Sequence, residues 1–151
     1  MKYLKLFNER FNISITEMDI EGWGITIEDL EDILIELSDR SWRHGQYRGS
    51  CQINRSFRPL KVKYKENGFI KIKTVPHVII LAEVHGVRND IDEILNRIKN
   101  SLDSLGIDVE DSTMDHSRTK PEKNVWFACL HLVKKSDIEL MKAKNSYVIN
   151  G

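Results

Sequence analysis

Cysteine is scarce in this chain: Cys51 and Cys129 are its two cysteines, far apart and without CxxC spacing. That count excludes a cysteine-rich structural zinc site, and a reduced pair is the default for a cytosolic protein. No apolar run approaches the ~18 residues that a spanning helix needs; the longest is "VIILA" at 78–82. The opening "MKYLKLFNER" is charged too often for a secretory signal. A cytoplasmic location is expected, and no membrane partner. No Walker motif, dinucleotide fingerprint, nucleophile elbow or HExxH occurs. No acid, base and nucleophile set assembles by spacing, so the reading leans away from an enzyme, with no cofactor and no metal.

What is present suits one globular unit. The chain has 151 residues, 40% hydrophobic and 30% charged, enough for a core without staples. A single domain over 1–151 is expected, with 1–76 and 77–149 as its two parts, since no linker separates them. Isoleucine outnumbers leucine, and lysine and glutamate are abundant, as in AT-rich or heat-tolerant sources such as archaea. The formal net charge is zero, but residues 17–39 carry nine acids and no Lys or Arg, whereas 40–73 carry ten Lys or Arg and one acid, Glu66. Segregation of this kind speaks of surfaces and partners rather than of fold.

Periodicity gives the elements. Residues 11–18 alternate as a strand. "TIEDLEDILIELSD" predicts a helix over 26–39, with Thr26 as N-cap, Asp29 as capping-box partner and an apolar stripe of Ile27, Leu30, Ile33, Leu34 and Leu37. A strand is expected near 46–55, then a hairpin in "LKVKYKENGFIKIKTV". A three-residue loop, Glu66-Asn67-Gly68, would pair Lys63 with Lys71, Lys61 with Lys73, Val62 with Ile72 and Tyr64 with Ile70, keeping like with like. That register is the one expected, with five lysines on one face. The second half reads strand 77–85, helix 89–104, strand 107–113, a polar loop, strand 125–133, helix 136–144 and strand 146–149. The order βαββαβ points to α+β architecture: a ferredoxin-like plait over 77–149, with an N-terminal strand-helix-strands extension packed against it.

The stretch "EVHGVRNDIDEILNRIKNSLDSLGIDV" at 83–109 resembles the first βαβ half of ACT-type regulatory modules. It has a strand ending in a glycine turn, an amphipathic helix, then Leu-Gly-Ile and a strand, and the likeness extends over 77–149. The resemblance implies a small effector near the glycine turn, at His85, Gly86 and Arg88. Val84 and His85 stand where that family has Asp and Pro. RNA-recognition domains share the topology, but their strand aromatics are largely missing here.

Four further groupings remain. Lys61, Lys63, Lys65, Lys71 and Lys73 suit a polyanion, a guarded sheet edge, or docking of the acidic helix. Arg40, Arg43, Arg48, Arg55 and Arg58, with Trp42, Tyr47 and Phe57, suit phosphate contacts with base stacking, or pairing with the acids just before them. His77, Glu83, Cys129 and His131 share one face of neighbouring strands; an antiparallel register sets Glu83 far from His131 and argues against a metal site. Asp115, His116 and Ser117 are neighbours in a polar loop, not a triad. The expected function is a non-enzymatic binding protein engaging nucleic acid or another polyanion through 40–73. The alternatives are a small-molecule regulatory module at the Gly86 turn and an accessory subunit, in a complex or a homodimer.

Overall fold

The structure, a computed structural model, describes residues 11–43, 46–47, 51–55, 60–115, 124–143 and 147–149. Its elements in order are β1 (Phe11–Ile13), a 3-10 turn (Glu17–Ile20), α1 (Ile27–Ile33), α2 (Ile35–Ser41), β2 (Trp42–Arg43), β3 (Gln46–Tyr47), β4 (Cys51–Arg55), β5 (Leu60–Glu66), β6 (Phe69–Val75), β7 (His77–His85), α3 (Arg88–Ser104), β8 (Ile107–Asp115), β9 (Val125–Lys134), α4 (Lys135–Ala143) and β10 (Tyr147–Ile149). The fold is mixed α+β.

The expected 11–18 strand stops at Ile13, because Thr16 and Asp19 form a capping box that starts the 3-10 turn; the Thr16 amide donates to Asp19 at 2.8 Å. The second capping box forms as its spacing predicts. The Asp29 amide donates to Thr26 Oγ1 at 3.1 Å, and the Thr26 amide donates to Asp29 Oδ2 at 2.9 Å. The helix it opens is divided at Leu34, whose amide is shared between the carbonyls of Leu30 and Glu31. Leu30, Leu34 and Leu37 are fully buried along it, each contributing about 1.5–3 kcal/mol of transfer free energy.

A five-stranded sheet runs β1-β4-β7-β9-β8, and a three-stranded sheet runs β10-β5-β6. The first is mixed, since β1 and β4 are parallel while β4-β7, β7-β9 and β8-β9 are antiparallel. A simple plait is not what results. Strands β8, β9 and β7 take the expected order, but β4 fills the fourth place, and 147–149 pairs with β5 instead. A five-residue strand with Cys51 and Ile53 fully buried suits the place beside β7 better than the three-residue β10. Val78, Ile80, Ala82 and Val84 of β7 and Ala128, Leu130 and Leu132 of β9 line one sheet face, where Ile91, Ile94, Leu95, Ile98 and Leu102 of α3 join them in the core. The core draws on both halves of the chain, from Phe11 to Leu132.

Candidate polyanion-binding surface

The hairpin β5-β6 turns through Asn67-Gly68, with φ of 51° and 79°. Two successive left-handed residues make a two-residue loop, and Asn-Gly is the pair that favours it because the twist matches the strands. The register follows: Glu66 opposite Phe69, Lys65 opposite Ile70, Tyr64 opposite Lys71, Lys63 opposite Ile72, Val62 opposite Lys73 and Lys61 opposite Thr74. This corrects the three-residue loop, and with it the single face of five lysines. The physical reason is charge. The like-with-like register would set lysine directly against lysine, which is destabilising, whereas the observed one sets every lysine opposite an uncharged residue.

The lysines therefore divide. Lys61, Lys63 and Lys65 share one face with Ile70, Ile72 and Thr74, and β10 sets Ile149 and Tyr147 opposite Lys61 and Lys63. Lys71 and Lys73 share the other face with Val62, Tyr64, Glu66, Phe69 and Val75. On that second face Lys73 Nζ donates to Asp137 Oδ1 at 2.8 Å, and Lys71 stands 3.9 Å from Glu66. Asp137 lies in the first turn of α4 and is buried at 5% exposure, with Lys73 and the positive helix end beside it. The acidic helices lie elsewhere. The main packing partners of α1 and α2 are β2, β4, β7 and α3, and Glu36 of α2 bonds Arg97 of α3 at 2.6 Å.

The two arginines with described side chains, Arg40 and Arg55, face different acids. Arg40 lies 3.9 Å from Asp90 at the start of α3, and Arg55 lies 3.6 Å from Asp19. Arg55 and Asp19 line a cleft of about 300 Å³ where β6 turns into β7, together with Thr74, Pro76 and His77. Trp42 and Arg43 pair with Tyr47 and Gln46 in a short ribbon. Their side chains, and Arg48, Phe57, Arg58, His116 and Ser117 altogether, lie outside the described residues.

The glycine turn is filled by protein. Gly86 has φ of 150°, and a Cβ there would meet Arg40 Nη1 and Ile91 Cδ1, each at 3.4 Å. The Gly86 carbonyl accepts from Trp126 Nε1 at 2.9 Å, and its amide donates to the Asn124 carbonyl at 3.0 Å. Arg88 lies over the Trp126 ring at 5.1 Å while its Nε donates to Asp92 at 3.1 Å. His85 sits opposite Val125.

On the sheet face away from the helices, the register is as the strand pattern implies: His131 is opposite Ile79, and Glu83 is opposite Phe127. His77 Nε2 and His131 Nδ1 are 3.0 Å apart, and Cys129 Sγ is 3.3 Å from His131 Nε2. Burial, then the neighbouring His131, pushes the His77 pKa down, against a smaller upward pull from Glu110. Among the described residues no three His, Cys, Asp or Glu side chains are grouped to hold a metal. Burial pushes the Cys51 thiol up to about 12. It also raises Cys129, against a hydrogen bond with Ser112. Neither has the lowered pKa of a reactive thiol.

Two features escaped pattern reading. Asp137 as the partner of Lys73 is a contact over 64 residues with no local signal. The exposure of Phe69, Ile70 and Ile72 follows from the Asn-Gly turn, which was the signal available. No family model, curated protein or solved structure matches the chain.

Proposed function

We propose that this is a non-enzymatic binding protein that engages a polyanion through the β5-β6 arm. The observation that carries the reading is the composition of one strand face. Lys61 and Lys65 are exposed on β5, with Lys63 between them at a spacing of about 7 Å, and among the described residues of the hairpin the register places Glu66 on the other side, near Lys71. Lysine is a point charge for phosphate and carries little sequence information, so binding should be salt-sensitive and sequence-tolerant. The surface is narrower than the whole 40–73 block, because Arg40 and Arg55 face acids of their own. The run β7-α3-β8-β9-α4 follows plait order, and we read it as a plait-derived scaffold whose fourth place went to β4. The filled turn at Gly86 lends no support to an effector site there.

Fluorescence anisotropy with labelled RNA, labelled DNA and heparin at low salt tests the reading. Three lysines predict that log K falls with log salt at a slope of about −2 to −3, and that Lys61→Gln, Lys63→Gln and Lys65→Gln together flatten it. No binding to any polyanion at the lowest salt sinks the proposal.

A further inference from the structure

The lysines do not explain why the same arm exposes large apolar side chains. Phe69 is 71% exposed, Ile70 60% and Ile72 61%. Soluble proteins seldom leave such a cluster open without a use. These residues follow the Asn67-Gly68 turn directly, at the tip of the arm. Among the described residues, β6 packs chiefly on β5, and residues 69–74 are all exposed. Register puts Phe69 on one face of the hairpin and Ile70 and Ile72 on the other. The tip is thus apolar on both sides, and lysines flank it on both sides: Lys61, Lys63 and Lys65 with the isoleucines, and Lys71 with the phenylalanine, while Lys73 is held by Asp137.

A macromolecule docked flat on the hairpin would cover one face and leave the other bare. A lipid surface surrounds whatever enters it. We infer that the hairpin tip docks on an anionic lipid bilayer, with Phe69 and Ile70 entering the headgroup–acyl boundary and the flanking lysines meeting lipid phosphates. This deepens the polyanion reading and rests on it: the phosphates are those of a membrane surface. Apolar burial and attraction to anionic headgroups act together in such interfacial docking. Long lysine side chains keep their ammonium groups at the phosphate level while their stems lie along apolar surface. Depth is limited by the backbone. Among the described residues β6 is an edge strand, so its outer peptide groups have no strand partner there, and hydrocarbon does not tolerate such groups. At about 3.4 Å per residue, Phe69 and Ile70 reach the boundary while Ile72 stays in the hydrated headgroups. No spanning segment is needed for this mode of binding.

The test is co-sedimentation of the full chain with vesicles of phosphatidylcholine alone and with phosphatidylserine added. Binding is expected with phosphatidylserine only, weakening as salt rises. Phe69→Glu and Ile70→Glu should each reduce it more than tenfold while leaving the circular dichroism and Tm unchanged, since both side chains are exposed. Lys61→Gln and Lys65→Gln should each cost about fivefold. Failure to bind phosphatidylserine vesicles, with RNA or heparin still bound, overturns the lipid assignment and leaves the polyanion reading standing. Failure on vesicles and polyanions alike removes both. Vesicle binding indifferent to Phe69→Glu and Ile70→Glu overturns insertion of the tip.

Discussion

Replacing Lys73 by alanine tests the hairpin register through stability. The Asp137 carboxylate has 7% of its side-chain surface accessible, and Lys73 bonds it at 2.8 Å while remaining 44% accessible itself. Removing one partner of a fully buried pair costs about 3–5 kcal/mol, and an exposed pair contributes about 0–1 kcal/mol. Water on the lysine side moves this pair away from the buried limit. The loss of one charge-assisted hydrogen bond then sets the scale, about 1.5–2.5 kcal/mol at neutral pH. For a chain of this size that is a fall in Tm of about 4–8 °C. Urea unfolding followed by tryptophan fluorescence, with Trp23 buried in the core, and by circular dichroism gives the free energy and checks that the probes coincide. Lys61→Ala, on the outer face, serves as control and should stay within about 0.5 kcal/mol. In a double-mutant cycle with Asp137→Asn, the coupling should be about 1–2 kcal/mol. The three-residue loop would turn Lys73 to the outer face opposite Lys61, out of reach of Asp137. Equal effects for Lys73→Ala and Lys61→Ala, or a coupling of zero, would refute the register and with it the division of the lysines.

Gly68→Ala should cost about 1–2 kcal/mol, because φ is 79° and a Cβ would meet nothing within 4 Å, leaving backbone strain as the whole effect; Asn67→Gly should be near neutral in the same unfolding assay. The thiols should separate under a thiol reagent at pH 8. Cys129 should react slowly in the native protein, and Cys51, buried with a pKa of about 12, only after denaturant is added; equal native rates would contradict its burial. For His77, whose pKa is lowered by burial and by His131, the unfolded chain binds the proton more readily. The contribution is present above the ordinary pKa near 6.5 and is lost as pH falls below it. Tm measured from pH 7.5 to 5 should fall less in His77→Gln than in the wild type, and parallel curves would remove the assignment. Glu31 has the opposite sign, its pKa raised first by burial and then by Glu28 and Asp32. Glu31→Gln should stabilise slightly at pH 7, and the gain should vanish towards pH 4.

How far the fold was legible depends on the range of the interaction concerned. Local rules located the Thr26-Asp29 capping box, helix α3 and the alternation of β7 and β9, because each is decided within a few residues. The faces of β7 and β9 followed from period two alone, and so did the register that keeps Glu83 away from His131. The fourth place in the main sheet was not legible: β4 and β10 compete for one edge, and nothing local ranks a pairing with β7 against one with β5. The hairpin marks the boundary between these cases. Two local rules conflicted there, since facial segregation favoured the three-residue loop while Asn-Gly turn chemistry and the repulsion of opposed lysines favoured two. The turn prevailed because strain at the loop and like-charge opposition act whether or not a face is buried, whereas facial segregation is enforced only where a core lies beneath it. No core lies beneath most of β6, whose residues 69–74 are all exposed. The same absence leaves isoleucine beside lysine on the outer face, which is the composition on which the binding proposals rest.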